Sequence, residues 1–341
     1  MSEPFAHAPA AQVPARVAQQ SVHKLNAAEV LLTGWRRGRE DEFVVTARWP
    51  EDHAFYTVRD RCHDPLLLCE TIRQTFPLLS HEAYGVPLGH ALVWDTYEQR
   101  LDPGALRSGD SYSDVELRVT VREATRRRGR IAALSLLYDV VRDGLPLATA
   151  GSRFTIHSPE VYRRLRRGHG DLSAVRPIPV PAAVSARGVG RADARDVVLA
   201  PTGEPHRWQL RVDTDHPVLF DHPVDHVPGM LLLEAARQAA HSFSGRPSAC
   251  VTAMDVRFHR YAELDAPGWV EVRPAGRDTG GCPRLAVVGS QDGRELFSCM
   301  ITLDEDPRGP RSSSPSAGRF RRPRRSALHL TEPDLAALNP V

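Results

Sequence analysis

Lysine is almost missing from this 341-residue sequence: Lys24 stands alone among 44 basic residues, and the others are arginine. Guanidinium groups suit phosphate, but the formal net charge is only +2, and proteins that bind nucleic acid or membrane surfaces carry a strong basic excess. The bias therefore reads as the mark of a GC-rich coding sequence, and any basic patch is local. Cysteine is scarce and odd in number (Cys62, Cys69, Cys250, Cys282, Cys299), with no C-x-x-C pair. That pattern suggests neither a disulfide framework nor a zinc site, and it fits a reducing cytoplasm. No H-x-x-x-H helix pair points to another metal. No apolar run approaches the roughly 18 residues of a membrane span, and the amino terminus lacks the charged start and apolar core of an export signal. A soluble cytoplasmic protein is expected, and at 41% hydrophobic and 25% charged residues the composition is that of an ordinary globular chain.

The length suits two domains of roughly 150 residues each. Residues 1–22, rich in Ala, Pro and Gln, read as a flexible tail. A first unit at 23–158 begins with strands at 30–35 and 43–49. A helix then runs from Asp64 or Pro65 to about Leu79, and strands follow at 90–100, 115–123, 131–141 and 145–156. Val115, Leu117, Val119 and Val121 alternate with Glu116, Arg118, Thr120 and Arg122, the period-two pattern of a half-buried strand. The arginine-rich run at 126–130 marks a hairpin turn. Residues 159–195 read as a linker, with a basic helical piece at 162–167 and a Pro-Ile-Pro-Val-Pro stretch. A second unit at 196–304 repeats the order: strands near 197–199 and 208–212, a helix at 229–243, and strands at 250–259, 269–273, 285–288 and 296–303. Residues 305–341 read as a disordered basic tail.

The repetition extends to single residues. Asp52-His53 lies over Asp215-His216 and His63 over His226 at an offset of 163, and Leu67-Leu68, Glu70, Arg73 and Gln74 lie over Leu231-Leu232, Glu234, Arg237 and Gln238 at 164. Polar residues matching in type and spacing inside two similarly flanked helices indicate a tandem duplication. In the second helix, Glu234, Arg237, Gln238 and His241 fall at i, i+3, i+4 and i+7 on one face, and nearly every other direction is apolar. A single stripe of this kind is most simply a Glu–Arg pair facing water. Two copies in apolar surroundings are costly unless something uses them. Asp64-Pro65 supplies a capping acid and a first-turn proline, whereas Pro228-Gly229 opens the second helix without a side chain. Either Gly229 relieves packing, or its backbone N–H is open to a carbonyl oxygen acquiring charge. The histidines before the helices (His53, His63, His216, His222, His226) are candidates for bases or for orienting substrate, or else structural.

The run from Val227 to Gln238, VPGMLLLEAARQ, is similar to the Pro-Gly-x-x-x-x-Glu-Ala-x-x-Gln helix of hot-dog-fold acyl-carrier-protein dehydratases, although their His-Phe-Pro element is absent at the usual distance. The first unit, HDPLLLCETIRQ at residues 63–74 preceded by Thr33-Gly34-Trp35 and Trp49-Pro50, resembles the A-factor biosynthesis (AfsA) family more specifically. That resemblance implies an α+β, tandem (double) hot-dog fold, each repeat a long apolar helix wrapped by an antiparallel sheet. It implies an acyltransferase joining a β-ketoacyl group, carried on acyl carrier protein, to dihydroxyacetone phosphate. The product is the precursor of a γ-butyrolactone, furan or butenolide signal that regulates secondary metabolism. No cofactor, metal, nucleic acid or membrane partner is implied. Carried over residue by residue, Glu70 and Glu234 are candidate general bases, helped by His63 and His226, with Gly229 the oxyanion donor. Arg73, Arg237, Gln74, Gln238, His53 and His216 are candidate substrate-binding residues, and the arginines at 126–130 and 163–167 are candidate docking points for the carrier protein. A hot-dog dehydratase or thioesterase, and a non-catalytic acyl- or autoregulator-binding protein, are the competing readings.

Overall fold

The computed structural model describes residues 17–59, 61–108 and 112–304. The expected carboxy-terminal tail and residues 1–16 of the expected amino-terminal one lie outside the described residues. The first repeat contains β1 (Leu32–Arg37), β2 (Glu42–Trp49), α1 (Pro65–Leu78), β3 (Ala91–Leu101), β4 (Ser113–Arg127), β5 (Arg130–Arg142) and β6 (Leu145–His157). After α2 (Pro159–Arg166) the second repeat contains β7 (Leu199–Pro201), β8 (Arg207–Leu210), α3 (Gly229–Ser244), β9 (Cys250–Phe258), β10 (Gly268–Arg277), β11 (Pro283–Gln291) and β12 (Arg294–Asp304). The order strand, strand, long helix, four strands occurs twice, as the sequence pattern predicts.

All twelve strands join one antiparallel sheet in the order β1-β2-β4-β5-β6-β3-β9-β12-β11-β10-β8-β7. Exchanging each strand for its counterpart in the other repeat reverses this order and leaves it unchanged, so a pseudo-two-fold axis passes through the β3–β9 seam. There Thr96 pairs with Arg257 and Arg100 with Ala253. The seam pairs one edge from each repeat, edges that would otherwise be open to association. Each half-sheet wraps its own helix. On α1 only Pro65 and Arg73 escape full burial, and on α3 every residue from Met230 to His241 is buried, as a helix apolar on most sides requires. Asp64 caps α1 by accepting from the Leu66 amide at 2.9 Å. Pro77 near the other end is followed by a single π turn, Leu79–Ala83. The two helices touch where the Cys69 Sγ lies 3.8 Å from the Met230 Sδ.

Two predicted boundaries move. The turn Gln19–Val22 is folded and Val22 is fully buried, so the domain starts inside the stretch read as a tail. Its counterpart Ala186–Val189 lies inside the stretch read as a linker. A second pair of turns, Ala27–Glu29 and Ala194–Asp196, follows them, capped by Asn26 and Asp193. Both pairs are offset by 167, and KLNAAEVLL at 24–32 lies over RADARDVVL at 191–199. The end of the linker is therefore the entry segment of the second repeat. Insertions between this segment and the helices change the offset from 167 to 163 and 164, and that shift concealed the match.

Because the seam and the helix contact couple the repeats, unfolding is expected to be one cooperative event. Urea unfolding followed by far-UV circular dichroism should coincide with that followed by tryptophan fluorescence. Two separated transitions would show that the repeats are independent.

Candidate active site

The polar stripes are buried ion knots. In the first, Arg73 holds Glu70 with two parallel bonds, Nε to Oε2 and Nη2 to Oε1, both 2.8 Å. The same Oε1 takes the Lys24 Nζ at 3.1 Å and accepts from Gln74 Nε2 at 3.0 Å. Gln74 also donates to the Glu29 carbonyl and accepts from the Leu31 amide. In the second knot Arg237 Nε donates to Glu234 Oε2 at 2.9 Å, while Arg191 Nε and Gln238 Nε2 donate to Oε1 at 2.8 and 2.5 Å. Gln238 repeats the backbone ties, to the Asp196 carbonyl and the Val198 amide. The glutamines thus fasten each helix to the segment that enters its first strand.

These contacts bear on the expectation that the glutamates act as bases. Burial pushes the Glu70 carboxyl up, but Arg73 and Lys24 overcome it and hold it well below the usual carboxylate range. Glu234 is treated alike by burial, Arg191 and Arg237. A carboxylate held so low has little drive to take a proton near neutral pH. What the geometry shows is a carboxylate that holds two cations in place.

The predicted histidines separate into different places. His53 and His216 are loop braces. Nδ1 of His53 accepts the amides of Phe55 and Tyr56, and Nδ1 of His216 those of Val218 and Leu219, all within 3.1–3.2 Å. Nε2 therefore carries the proton and faces Glu29 at 3.4 Å or Asp196 at 3.3 Å. Neither is a free substrate ligand. His63 is buried beside Trp49, 3.1 Å from the Ser113 hydroxyl. His226 pairs with Asp225 at 2.7 Å and packs on Tyr261. Asp225 also binds Tyr162 and the buried Arg166, which reaches Glu263. A cleft of about 200 Å³ opens beside this cluster, lined in part by Arg167, His169, Asp225 and Glu263. None of these histidines contacts a stripe glutamate. Arg166, expected on a solvated basic face, is excluded from any docking surface.

Of the predicted histidines, His222 is the one that lies near the first knot. Asp221 accepts the amides of Leu25 at 2.6 Å and Asn26 at 2.9 Å across the repeat boundary, which brings its neighbour His222 to the Lys24 segment. His222 Nδ1 lies 3.5 Å from Asp221 Oδ2. Burial and the charges of Arg73 and Lys24 keep this imidazole below its ordinary pKa against the pull of Asp221, so it is neutral near pH 7.

The helix starts break the symmetry. Arg191 donates to the Phe55 carbonyl at 2.6 Å, stacks on the Phe55 ring and lies 3.8 Å from Asp64. The start of α1, capped and prolyl, therefore stands beside Glu234. The pseudo-two-fold places the start of α3 beside Glu70 in the same way, and no side chain caps α3. Gly229 itself is pressed by Trp94, since a Cβ there would lie 3.1 Å from that ring. A side chain there would need the ring to give by a few tenths of an ångström, so packing alone accounts for a small residue at this position. The uncapped first-turn amides remain the donors available at that end.

The sequence matches the A-factor biosynthesis hotdog domain (AfsA) over residues 5–158 and 172–304. The chain belongs to this family. It is 44% identical to a 2-oxo-3-(phosphooxy)propyl 3-oxoalkanoate synthase of Streptomyces virginiae over 286 residues, covering 84% of this chain and 96% of that protein. The synthase of the same name from Streptomyces coelicolor is 38% identical, with 82% and 89% covered. In structure, a protein described as an oleoyl thioesterase of Lactobacillus plantarum aligns with a TM-score of 0.50 at 11% identity, covering 76% of this chain and 96% of that one. That likeness establishes the double hot-dog fold. No helix among the described residues is long and apolar enough to cross a membrane.

In this AfsA-family chain, Lys24 and Arg191 are the site residues that sequence reasoning passed over, whereas His222 stood among the candidate histidines without being assigned to either stripe. The first two were legible as the Lys24-to-Arg191 match within the entry segments. His222 differs from its counterpart Arg59 and carries no repeat signal.

The knots predict unequal costs. Glu234→Gln leaves Arg191 and Arg237, both buried, without a carboxylate, which costs about 3–5 kcal/mol. Glu70→Gln costs less, because the Arg73 side chain is 22% exposed and reaches water. Both carboxyls have depressed folded values, so their contribution is complete above the ordinary glutamate pKa of about 4.3 and is lost as pH falls below it. Urea midpoints of wild type and variants should therefore lie far apart at pH 7 and converge in acid.

Proposed function

We propose that this protein is a 2-oxo-3-(phosphooxy)propyl 3-oxoalkanoate synthase, transferring a β-ketoacyl group from a thioester to the hydroxyl of dihydroxyacetone phosphate. Near end-to-end similarity to two synthases of that name carries this reading. The product would be the precursor of a γ-butyrolactone, furan or butenolide signal. The working site is the Glu70 end: its knot borders solvent through Arg73 and His222, and it faces an uncapped helix start. The Glu234 end is sealed, and Asp64 stands where an oxyanion would lie.

In this mechanism the thioester carbonyl points at the first turn of α3, whose free amides stabilise the charge that develops on oxygen. His222, neutral and steadied by Asp221, takes the proton from the triose hydroxyl as its oxygen attacks. The C–S bond breaks, a C–O bond has formed, and the proton passes from His222 to the departing thiolate. Glu70 takes no proton and holds Arg73 and Lys24 in place. The thioester is carried on acyl carrier protein, an acidic partner suited to the exposed arginines of the β4–β5 hairpin (Arg126, Arg127, Arg128, Arg130).

Mass spectrometry of full-length protein with a β-ketoacyl carrier-protein thioester should show an acyl ester only when dihydroxyacetone phosphate is present. His222→Gln should lower kcat by roughly 10²- to 10⁴-fold while leaving the fold intact. Free acid formed regardless of the triose would instead identify a thioesterase, and a bound but intact thioester would identify a binding protein.

A further inference from the structure

We propose that His23, His81 and Arg73 form the subsite for the phosphate of the acceptor, at the mouth of the Glu70 site; this rests on the acyl-transfer reading above. The observation that singles out these residues is their fate in the second repeat. Arg73 has its counterpart in Arg237, but the positions of His23 and His81 are occupied by Gly190 and Gly245. A side chain at Gly190 has no room, since its Cβ would lie 2.9 Å from the buried His241 ring. One copy of the duplicated site is filled, and the other carries two imidazoles and opens to solvent.

His23 is also held at a cost. Its φ of +54° is left-handed, a conformation unusual for any residue with a Cβ. Its Nε2 is 2.8 Å from Nε2 of His81, and His81 Nδ1 is 2.7 Å from the Val86 carbonyl. A carbonyl only accepts, so His81 Nδ1 carries a proton. In the neutral pair, His81 Nε2 then receives the proton of His23, which leaves His23 Nδ1 for another partner. Arg73 spends Nε and Nη2 on Glu70, and its Nη1 has no hydrogen-bond partner among the described residues.

The negative charges nearby are already engaged. Asp221 is held by two amides, Glu70 by its knot, and Glu82 by the Ser21 hydroxyl at 2.5 Å. The surroundings are short of negative charge: burial first, then His81, Arg73 and His222, hold His23 down at about 4. A phosphate monoester dianion supplies what the cluster lacks: as it binds, His23 takes up a proton at Nδ1, and that N–H and the Arg73 guanidinium become charge-assisted donors to its oxygens. A carboxylate or neutral acceptor would use only part of it.

The test uses full-length protein and His23→Gly, which suits the left-handed backbone and reproduces the second repeat. Thermal unfolding should show this variant at least as stable as wild type. Binding of glycerol 3-phosphate and of inorganic phosphate, measured by calorimetry, should weaken about tenfold or more. The KM for dihydroxyacetone phosphate should rise by a similar factor, a larger effect than on kcat. His81→Gln should act in the same direction. Unchanged phosphate affinity and KM in both variants would overturn the subsite while leaving acyl transfer standing. His23-dependent phosphate binding without any acyl transfer would uphold the subsite and sink the transferase reading.

Discussion

A glutamate buried between two cations, repeated once in each half, is the constraint on which the rest of this structure depends. Moving such charges out of water costs several kcal/mol per ion unless every partner is in place. The partners come from separate segments: an arginine one turn along the same helix, a glutamine on the next position, and Lys24 or Arg191 from the stretch entering the first strand. The knot therefore fixes the distance and rotation between helix and entry segment. It also explains why that segment is folded at all, since each entry turn has a buried valine, Val22 or Val189, beside its cation.

Duplication gave the chain two such knots, and only one remained open. At Glu234 the cations are Arg191 and Arg237, Phe55 covers one of them, and Asp64 occupies the neighbouring helix start. At Glu70 the second cation is the single lysine, the facing helix start has no cap, and a histidine stands where the other repeat has Arg59. A closed knot specifies the relation between the repeats, because Arg191 reaches the Phe55 carbonyl across the boundary. An open knot offers the same fixed cations to a ligand. Stability and chemistry are thus divided between two copies of one device.

Much of this was legible in the sequence. Period-two alternation and the apolar helices gave the strand and helix order, and the match of Glu70-x-x-Arg73-Gln74 with Glu234-x-x-Arg237-Gln238 gave the repeat. The family-bearing motifs lie on those helices because close packing leaves such positions little freedom. What escaped lies in irregular segments. Lys24 and Arg191 sit in short turns without periodicity, at an offset displaced by insertions. His53 and His216 matched perfectly, yet they match because both brace the same loop. Equality between repeats marks what the fold needs, whereas His222, His23 and His81 are informative because their counterparts differ.

That distinction bears on the chemistry. Removing and returning a proton by the stripe glutamate itself requires a carboxyl that titrates within reach of neutral pH. Glu70 is held far from that range by a guanidinium and an ammonium group, and its partners are too well placed to release it. The proposed mechanism therefore gives proton transfer to an imidazole that burial and neighbouring charge keep neutral, and makes the glutamate the anchor of the cations around it. In the proposed mechanism the cations face the phosphorylated alcohol, while the facing helix start receives the carbonyl oxygen.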